Sequence, residues 1–469
     1  MTTNRDNENI AGGRNILNRS KEDPPKECPY LHTIKKSFLD FDLQRVCSVS
    51  GISRNVYVCL VCGKYLHGQE PFTPAWDHAF DENHRIFYSF RTSNFYCLPD
   101  RYKIIDTELE NVRNEIDPKF DENLIKMIDL KDSTFKSLDK KICYPGFIGL
   151  KNLGYNNSFN VIVYGLAHVP KIRNYFLIAD NYNNLNKYPF DSFGILAPMF
   201  GKVVRKLWNS RSFKSYTTPY GLLEAVISCS SGKFQFNKEF NIFEFLEFFL
   251  NTLHLSLNGT LRTDSTIIFS AFGGKMKEYS KIISYADSTD HLTPENKVYE
   301  KEIPFLTLDI PIIMKKSEGL ANNHVIDLSL TTLLEKSCGA KEEEYGSVQI
   351  RCSRRFELIK FPEYLIITYG KENKCKGKHQ FLIDFPITNM DFYDYLTKTT
   401  EKRVKYTTYD LLCNVVHDNG AYKIQLLHKT SGKWFEVKDI DVKEISPRCV
   451  PHTESCIQIW ELNRERKKN

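Results

Sequence analysis

The sequence predicts an α+β protein, with a small metal-held module ahead of one large mixed domain. Three observations carry that prediction. Cysteines, histidines and aromatics crowd together between Cys28 and Asp106. Ser158–Ala167 and Phe243–Leu257 are apolar on most faces, the pattern of largely buried helices. Phe361–Tyr369 and Tyr422–His428 read as strands, the second with clear alternation. Helices first and strands later point to α+β rather than to alternating βα units.

Taken in order, residues 1–26 are polar and poor in large apolar groups, and are expected to form a flexible arm. Residues 27–106 form the Cys/His-rich module. Residues 107–143 are charged and read as a connector, with Leu124, Ile125, Ile128 and Leu130 hinting at a short helix inside it. Residues 144–469 read as one large domain, in which Thr430–Lys433 makes a hairpin turn ahead of Trp434–Val437. A chain of 469 residues has room for two or three domains.

Composition narrows the setting. The 64 basic and 58 acidic residues leave a formal charge of +6, spread along the chain, which permits contact with nucleic acid or an acidic protein and demands neither. Met1–Ser20 lacks the apolar centre of a signal peptide, and no apolar run is long enough to span a bilayer, so no membrane partner is expected. The 13 cysteines lack the density of a disulfide framework, which suggests a reducing compartment. In such a compartment a Cys/His cluster is more often a metal site than a disulfide.

One cluster has that character. Cys59-Leu60-Val61-Cys62 is followed by His78 and His84, with two, fifteen and five residues between successive ligands. Two thiolates and two imidazoles make a closed tetrahedral set, the arrangement that holds structural zinc. Gly63 supplies a turn position tolerant of positive φ. The expected metal ligands are therefore Cys59, Cys62, His78 and His84, with one structural zinc ion. The bland alternative, buried cysteines beside surface histidines, leaves the spacing to chance.

Farther along, Gly149-Leu150-Lys151-Asn152-Leu153-Gly154-Tyr155-Asn156-Asn157-Ser158 resembles the cysteine box of ubiquitin-specific proteases. Asn157 stands where that family has its nucleophilic cysteine. Gly420-Ala421-Tyr422 resembles the family's glycine, histidine, tyrosine, which puts Ala421 at the general base. Trp434-Phe435-Glu436-Val437-Lys438-Asp439 resembles its tryptophan-to-acid block, which puts Lys438 at the orienting acid. A triad acts as a unit, so the resemblance implies a pseudo-protease with no catalytic residue. Cys413 and His417 offer no substitute, because four residues along a strand separate them by more than about 12 Å.

The module before it resembles the zinc finger of ubiquitin proteases. Cys28, Cys47, the Cys59/Cys62 pair, His78, His84 and Cys97 fall in the family order. Tyr30, Ser50 and Asp100 replace ligands that relatives with several zincs use, so a second metal site on Cys28, Cys47, Cys97 or His67 is disfavoured. Gln69 stands where such fingers carry the arginine that grips a ubiquitin tail, with Tyr96 and Leu98 flanking the late cysteine. Ubiquitin capture is expected to be lost.

Cys28-Pro29-Tyr30-Leu31, Leu39-Asp40-Phe41-Asp42, Phe95-Tyr96-Cys97-Leu98-Pro99-Asp100, Val169-Pro170-Lys171-Ile172-Arg173-Asn174-Tyr175-Phe176, Phe385-Pro386-Ile387-Thr388-Asn389 and Ile457-Gln458-Ile459-Trp460 resemble one branch. That branch is the non-catalytic, ubiquitin-protease-like factor of the spliceosomal tri-snRNP, the "snRNP assembly defective" family. It implies a finger followed by a papain-like ubiquitin-specific-protease fold of thumb, palm and fingers, without a fingers zinc because Cys338 and Cys352 are single. It also implies a nuclear scaffold that assembles or stabilises the tri-snRNP through its core scaffold protein and unwinding helicase, with RNA contact peripheral. The alternative is a ubiquitin or ubiquitin-like receptor that binds without cleaving. Arg464, Arg466, Lys467 and Lys468 read as a solvated basic helix end, an RNA contact or a nuclear address, and Gly273-Gly274 as a turn.

Overall fold

Apolar periodicity and turn chemistry sort the chain into two compact units in the computed structural model. The structure describes residues 27–183, 185, 192–260, 265–285, 298–312, 325–338, 343–346, 350–370, 380–395, 406–418 and 420–464. The expected flexible arm lies outside them.

The smaller unit spans residues up to Asp40 and Arg45–Glu110. Its antiparallel sheet runs in the order β2 (Tyr65–His67), β1 (Val56–Cys59), β3 (Ile86–Ser89), β4 (Asn94–Cys97), β5 (Tyr102–Ile104). Helix α1 (Pro74–Asp81) begins on Pro74, whose missing N–H is harmless at a first turn. It turns Ala75 and Ala79 into a core with Tyr57, Leu66, Phe87 and Leu98.

The larger unit comprises Phe41–Gln44 and Asn111–Asn469. The stretch expected as a connector is therefore largely part of this body, and residue 144 does not divide the two units. Helix α2 (Glu110–Ile116) was not anticipated. In α3 (Glu122–Ile128), capped by Asp121 accepting from the Leu124 N–H at 2.8 Å, Ile125 is buried. Ile125 and Cys143 join the main core, which is why this segment packs rather than swings.

The helical half holds α4 (Asn157–His168), α5 (Pro170–Leu177), α6 (Leu196–Leu207), α7 (Tyr220–Cys229) and α8 (Ile242–Ser256). Asn241 caps α8 by accepting from the Phe243 and Glu244 N–H groups, both at 3.1 Å. Phe159, Phe245 and Phe249 pack between helices, the first two with ring centroids 5.5 Å apart.

The strand half carries two large sheets. The first, four-stranded, contains β6 (Gly274–Tyr285) between Val298–Phe305 and Ile350–Lys360, with Glu343–Gly346 at its edge. The expected Gly273-Gly274 turn is the junction between the helix ending at Phe272 and β6.

The second, eight-stranded sheet follows the order Thr307–Ile310, β7 (Tyr364–Tyr369), Ser455–Leu462, β8 (Thr408–Asp418), β9 (Ala421–His428), β10 (Lys433–Lys438), β11 (Asp441–Ile445). Met390–Asp391 pairs with β8 off that path. Both faces are covered. Ile366, Val415, Ile424 and Val437 face the helical core, while Leu365, Ile367, Leu411 and Trp434 face a second one. A register shift between Leu411 and Cys413 moves β8 from one core to the other. Arg464 follows the strand Ser455–Leu462 rather than a helix and pairs with Glu363 at 3.1 Å; the rest of the basic tail lies outside the described residues. No helix among the described residues is long and apolar enough to cross a membrane.

Candidate metal centre and the cleft of the large domain

The metal centre is assembled by a turn and a helix. Cys59 ends β1, and the Gly63 N–H closes the turn on the Cys59 carbonyl at 2.9 Å, bringing Cys62 round beside it. Gly63 has φ +77°, and a Cβ there would overlap the Phe38 carbonyl, so the turn needs glycine. His78 projects from α1 and His84 from the loop entering β3. The Sγ and ring nitrogen atoms of Cys59, Cys62, His78 and His84 all lie within 4.8 Å of one another.

A tetrahedral zinc set needs ligand atoms roughly 3.3–3.8 Å apart. The Cys62 Sγ to His78 Nε2 distance is 3.3 Å, and the His84 Nδ1 to His78 Nε2 distance is 3.0 Å. The two thiols lie within hydrogen-bonding reach of each other. The hydrogen bond to Cys62 pushes Cys59 up, and the same bond pulls Cys62 down to about 4, helped by His84 and His78. The donor set fits zinc and leaves no open position for a reacting water, which makes the site structural.

The other finger residues singled out are used in packing. Cys47 receives the Ser50 N–H at 3.4 Å, and Ser50 Oγ meets His67 Nδ1 at 2.8 Å. Cys28 and Cys97 are buried, and burial is the main cause raising the Cys97 thiol to about 12. Gln69 Oε1 accepts from the Tyr57 hydroxyl at 2.9 Å. Tyr96 is buried edge-on against Tyr57, and Leu98 is fully buried.

In the larger unit the cysteine-box segment meets the strand half. Gly149–Leu150 leads through a loop to Asn157, the first residue of α4. The Asn157 Oδ1 accepts the Tyr422 N–H, one residue past Ala421, and its Nδ2 donates to Asp439 Oδ1 at 3.4 Å. Asn160 Nδ2 donates to the same Asp439 oxygen at 2.9 Å, and Asn152 Nδ2 to its Oδ2 at 3.0 Å. The Asp439 carbonyl accepts the Leu150 N–H at 2.9 Å. Gly149 is required here, because a Cβ would overlap the Cα of Ile440.

Three carboxamides thus converge on one carboxylate across the cleft. The arrangement binds helix to sheet, and a carboxamide supplies no nucleophile near neutral pH. Ala421 presents a methyl group, and Lys438 is exposed at the end of β10. Asp439 as the hub and Asn160 as a contributor were missed by reading residue types. The run of asparagines ahead of an apolar helix was the available signal. Cys413 is fully buried on β8, while His417, on the same strand, faces Glu454 at 3.5 Å.

A closed Cys2His2 finger ahead of a helix-and-sheet cleft defines the class: a ubiquitin-protease zinc finger followed by a ubiquitin-specific-protease fold. Residues 148–460 match the family described as ubiquitin carboxyl-terminal hydrolase, and residues 47–109 match the zinc finger in ubiquitin-hydrolases and other proteins. The chain belongs to the ubiquitin carboxyl-terminal hydrolase family. It is 36% identical over 456 residues to human ubiquitin carboxyl-terminal hydrolase 39, covering 94% of this chain and 81% of that one. It is 32% identical to the probable mRNA-splicing protein ubp10 of Schizosaccharomyces pombe, covering 92% of this chain and 88% of that protein. The fold also matches a crystal structure of an essential yeast splicing factor, with TM-score 0.71 and 23% identity, over 93% of this chain and 100% of that chain. The expected resemblance to a splicing branch of the family is met by these relatives.

Proposed function

We propose that this protein is a non-enzymatic, nuclear splicing factor. It assembles or stabilises the spliceosomal tri-snRNP through protein contacts with the core scaffold and the unwinding helicase, restraining the helicase before activation. The observation that carries this reading is the near full-length similarity to a relative named as an mRNA-splicing protein. Asn157, Ala421 and Lys438 support the non-enzymatic part, because none supplies a thiolate, an imidazole or a carboxylate. One zinc ion on Cys59, Cys62, His78 and His84 holds the finger as a docking surface, and its chemistry there is structural cross-linking. The mechanism is occupancy: folded units bury surface on partners and bias one arrangement of the complex.

Purification of the tagged protein from nuclear extract tests the assignment. Tri-snRNP proteins and their small nuclear RNAs are expected to co-purify, and depletion is expected to block splicing of a reporter transcript until the protein is restored. Absence of those RNAs sinks the splicing reading. A covalent adduct with ubiquitin bearing a C-terminal electrophile sinks the non-enzymatic one. Micromolar ubiquitin binding without an adduct favours the receptor alternative.

A further inference from the structure

One groove of the larger unit has no part in the cleft or the metal centre. It is a cavity of about 250 Å³ between α3, with the residues just before it, and the chain leaving α6. Phe120, Ile128 and Trp208 line it, and Leu124 and Met127 form an outer wall. Those two side chains are 51% and 49% exposed on α3, and Leu130 just beyond is 75% exposed. A short helix whose inward need is met by Ile125 has no folding reason to carry this outward apolar stripe. Such patches mark interaction sites.

The charges around the groove are unbalanced. Lys119, Lys131 and Arg211 line it and are exposed, and no carboxylate does. Four acids close by are engaged. Asp117 pairs with Arg205 at 2.7 Å, Asp129 pairs with the buried Arg173, and Asp121 caps α3. Glu115 accepts the Phe213 N–H at 2.9 Å, and Asp132, next to Lys131 in sequence, is exposed. Among the described residues the three groove cations have no ion-pair partner. The volume is below the roughly 300–1,000 Å³ of small-molecule sites and suits one or two large side chains.

We propose that this groove docks an acidic, apolar peptide segment of a partner protein. A Phe or Leu of the segment fills the cavity over Trp208 and Met127, and flanking Asp or Glu residues reach Lys119, Lys131 and Arg211. Apolar anchoring supplies the affinity, and the charges supply register and selectivity. The groove's own lining carries this proposal, which is independent of the splicing assignment.

The test uses the full chain and a fluorescein-labelled twelve-residue peptide that alternates Glu with Phe and Leu, followed by fluorescence anisotropy at low salt. Saturable binding is expected. Lys119→Glu, Lys131→Glu and Arg211→Glu together should weaken it by at least about tenfold, while a peptide with Lys in place of Glu should bind that variant better than wild type. Met127→Ser, at an exposed site, should weaken the Glu peptide with the melting temperature unchanged, which separates lost binding from lost folding. The proposal is overturned if wild type does not bind the Glu peptide, if neither variant changes its affinity, or if the Lys peptide binds wild type as tightly. It is also overturned if sedimentation shows wild type self-associating through this face in a way that Met127→Ser abolishes.

Discussion

Asn157 has both ends of its carboxamide engaged, one with the Tyr422 N–H and the other with Asp439. Replacing it with the shorter thiol of cysteine removes a strong acceptor from a backbone N–H and a donor from a carboxylate. The net loss for such contacts is about 1–3 kcal/mol. Asn157→Cys is therefore expected to lower the unfolding free energy by that amount in urea titration. It should also show no hydrolysis of a ubiquitin–fluorophore conjugate, because Ala421 and Lys438 still supply no base and no orienting acid. Turnover by this single variant would contradict the reading of the cleft as a clasp. Asp439→Ala should cost more than Asn157→Cys, since it removes the carboxylate that Asn152, Asn157 and Asn160 share, leaving Asn160 only the Leu150 carbonyl at 3.3 Å and exposed Asn152 to water.

Among elements, the segment Phe41–Gln44 and helix α6 form one electrostatic unit. Asp42 faces Lys202 Nζ at 3.0 Å and also pairs with Lys206. Burial alone would raise the Asp42 carboxyl; Lys206 and then Lys202 outweigh it and hold the group down from 3.8 to about 2. A carboxyl depressed in the folded state stabilises at pH above its unfolded value and loses that stabilisation as pH falls through the folded value. The expected contribution at neutral pH is about 2 kcal/mol, fading between about pH 4 and about 2. Unfolding free energies of wild type and Asp42→Asn should therefore differ at neutral pH and converge in strong acid, and a gap that stays constant with pH would refute the pairing. The finger is expected to depend on metal instead. Cys59, Cys62, His78 and His84 tie the turn after β1, helix α1 and the loop before β3 together beside the cluster of Tyr57, Leu66, Ala75, Ala79, Phe87 and Leu98. Stripping zinc with a strong chelator is expected to open residues 28–106 to hydrogen exchange while the larger unit stays protected. Unchanged exchange in that segment would remove zinc from the account of the finger.

At the scale of the whole molecule, what could be read in advance was what is local in sequence. Cys59, Cys62, His78 and His84 sit within one turn, one helix and one loop, so spacing alone suggested their convergence. The buried helices and the strands around Tyr422–His428 were visible because their apolar periods are long. The Asp439 hub was not visible, because its bonds to Asn152 and Asn160 join residues 287 and 279 apart. The place of Phe41–Gln44 in the larger unit was hidden for the same reason, since Asp42 and Lys206 are 164 apart. The connector misled because charge density says nothing about the few buried side chains in it, among them Val112, Ile116, Ile125 and Cys143. These distinctions separate two ways the protein could work. If surfaces carry the function, damage to the finger must matter and damage to the old catalytic positions must not. In depleted nuclear extract, Lys438→Ala, which alters an exposed side chain at the acid position, is expected to restore splicing of a reporter as fully as wild type. Cys59→Ser, which removes a zinc ligand, is expected to fail and to lose association with the tri-snRNP, while the larger unit keeps its wild-type protection from hydrogen exchange. If Lys438→Ala fails while remaining folded, the old cleft has a role that occupancy does not explain. If Cys59→Ser restores splicing fully, the finger is not a docking element.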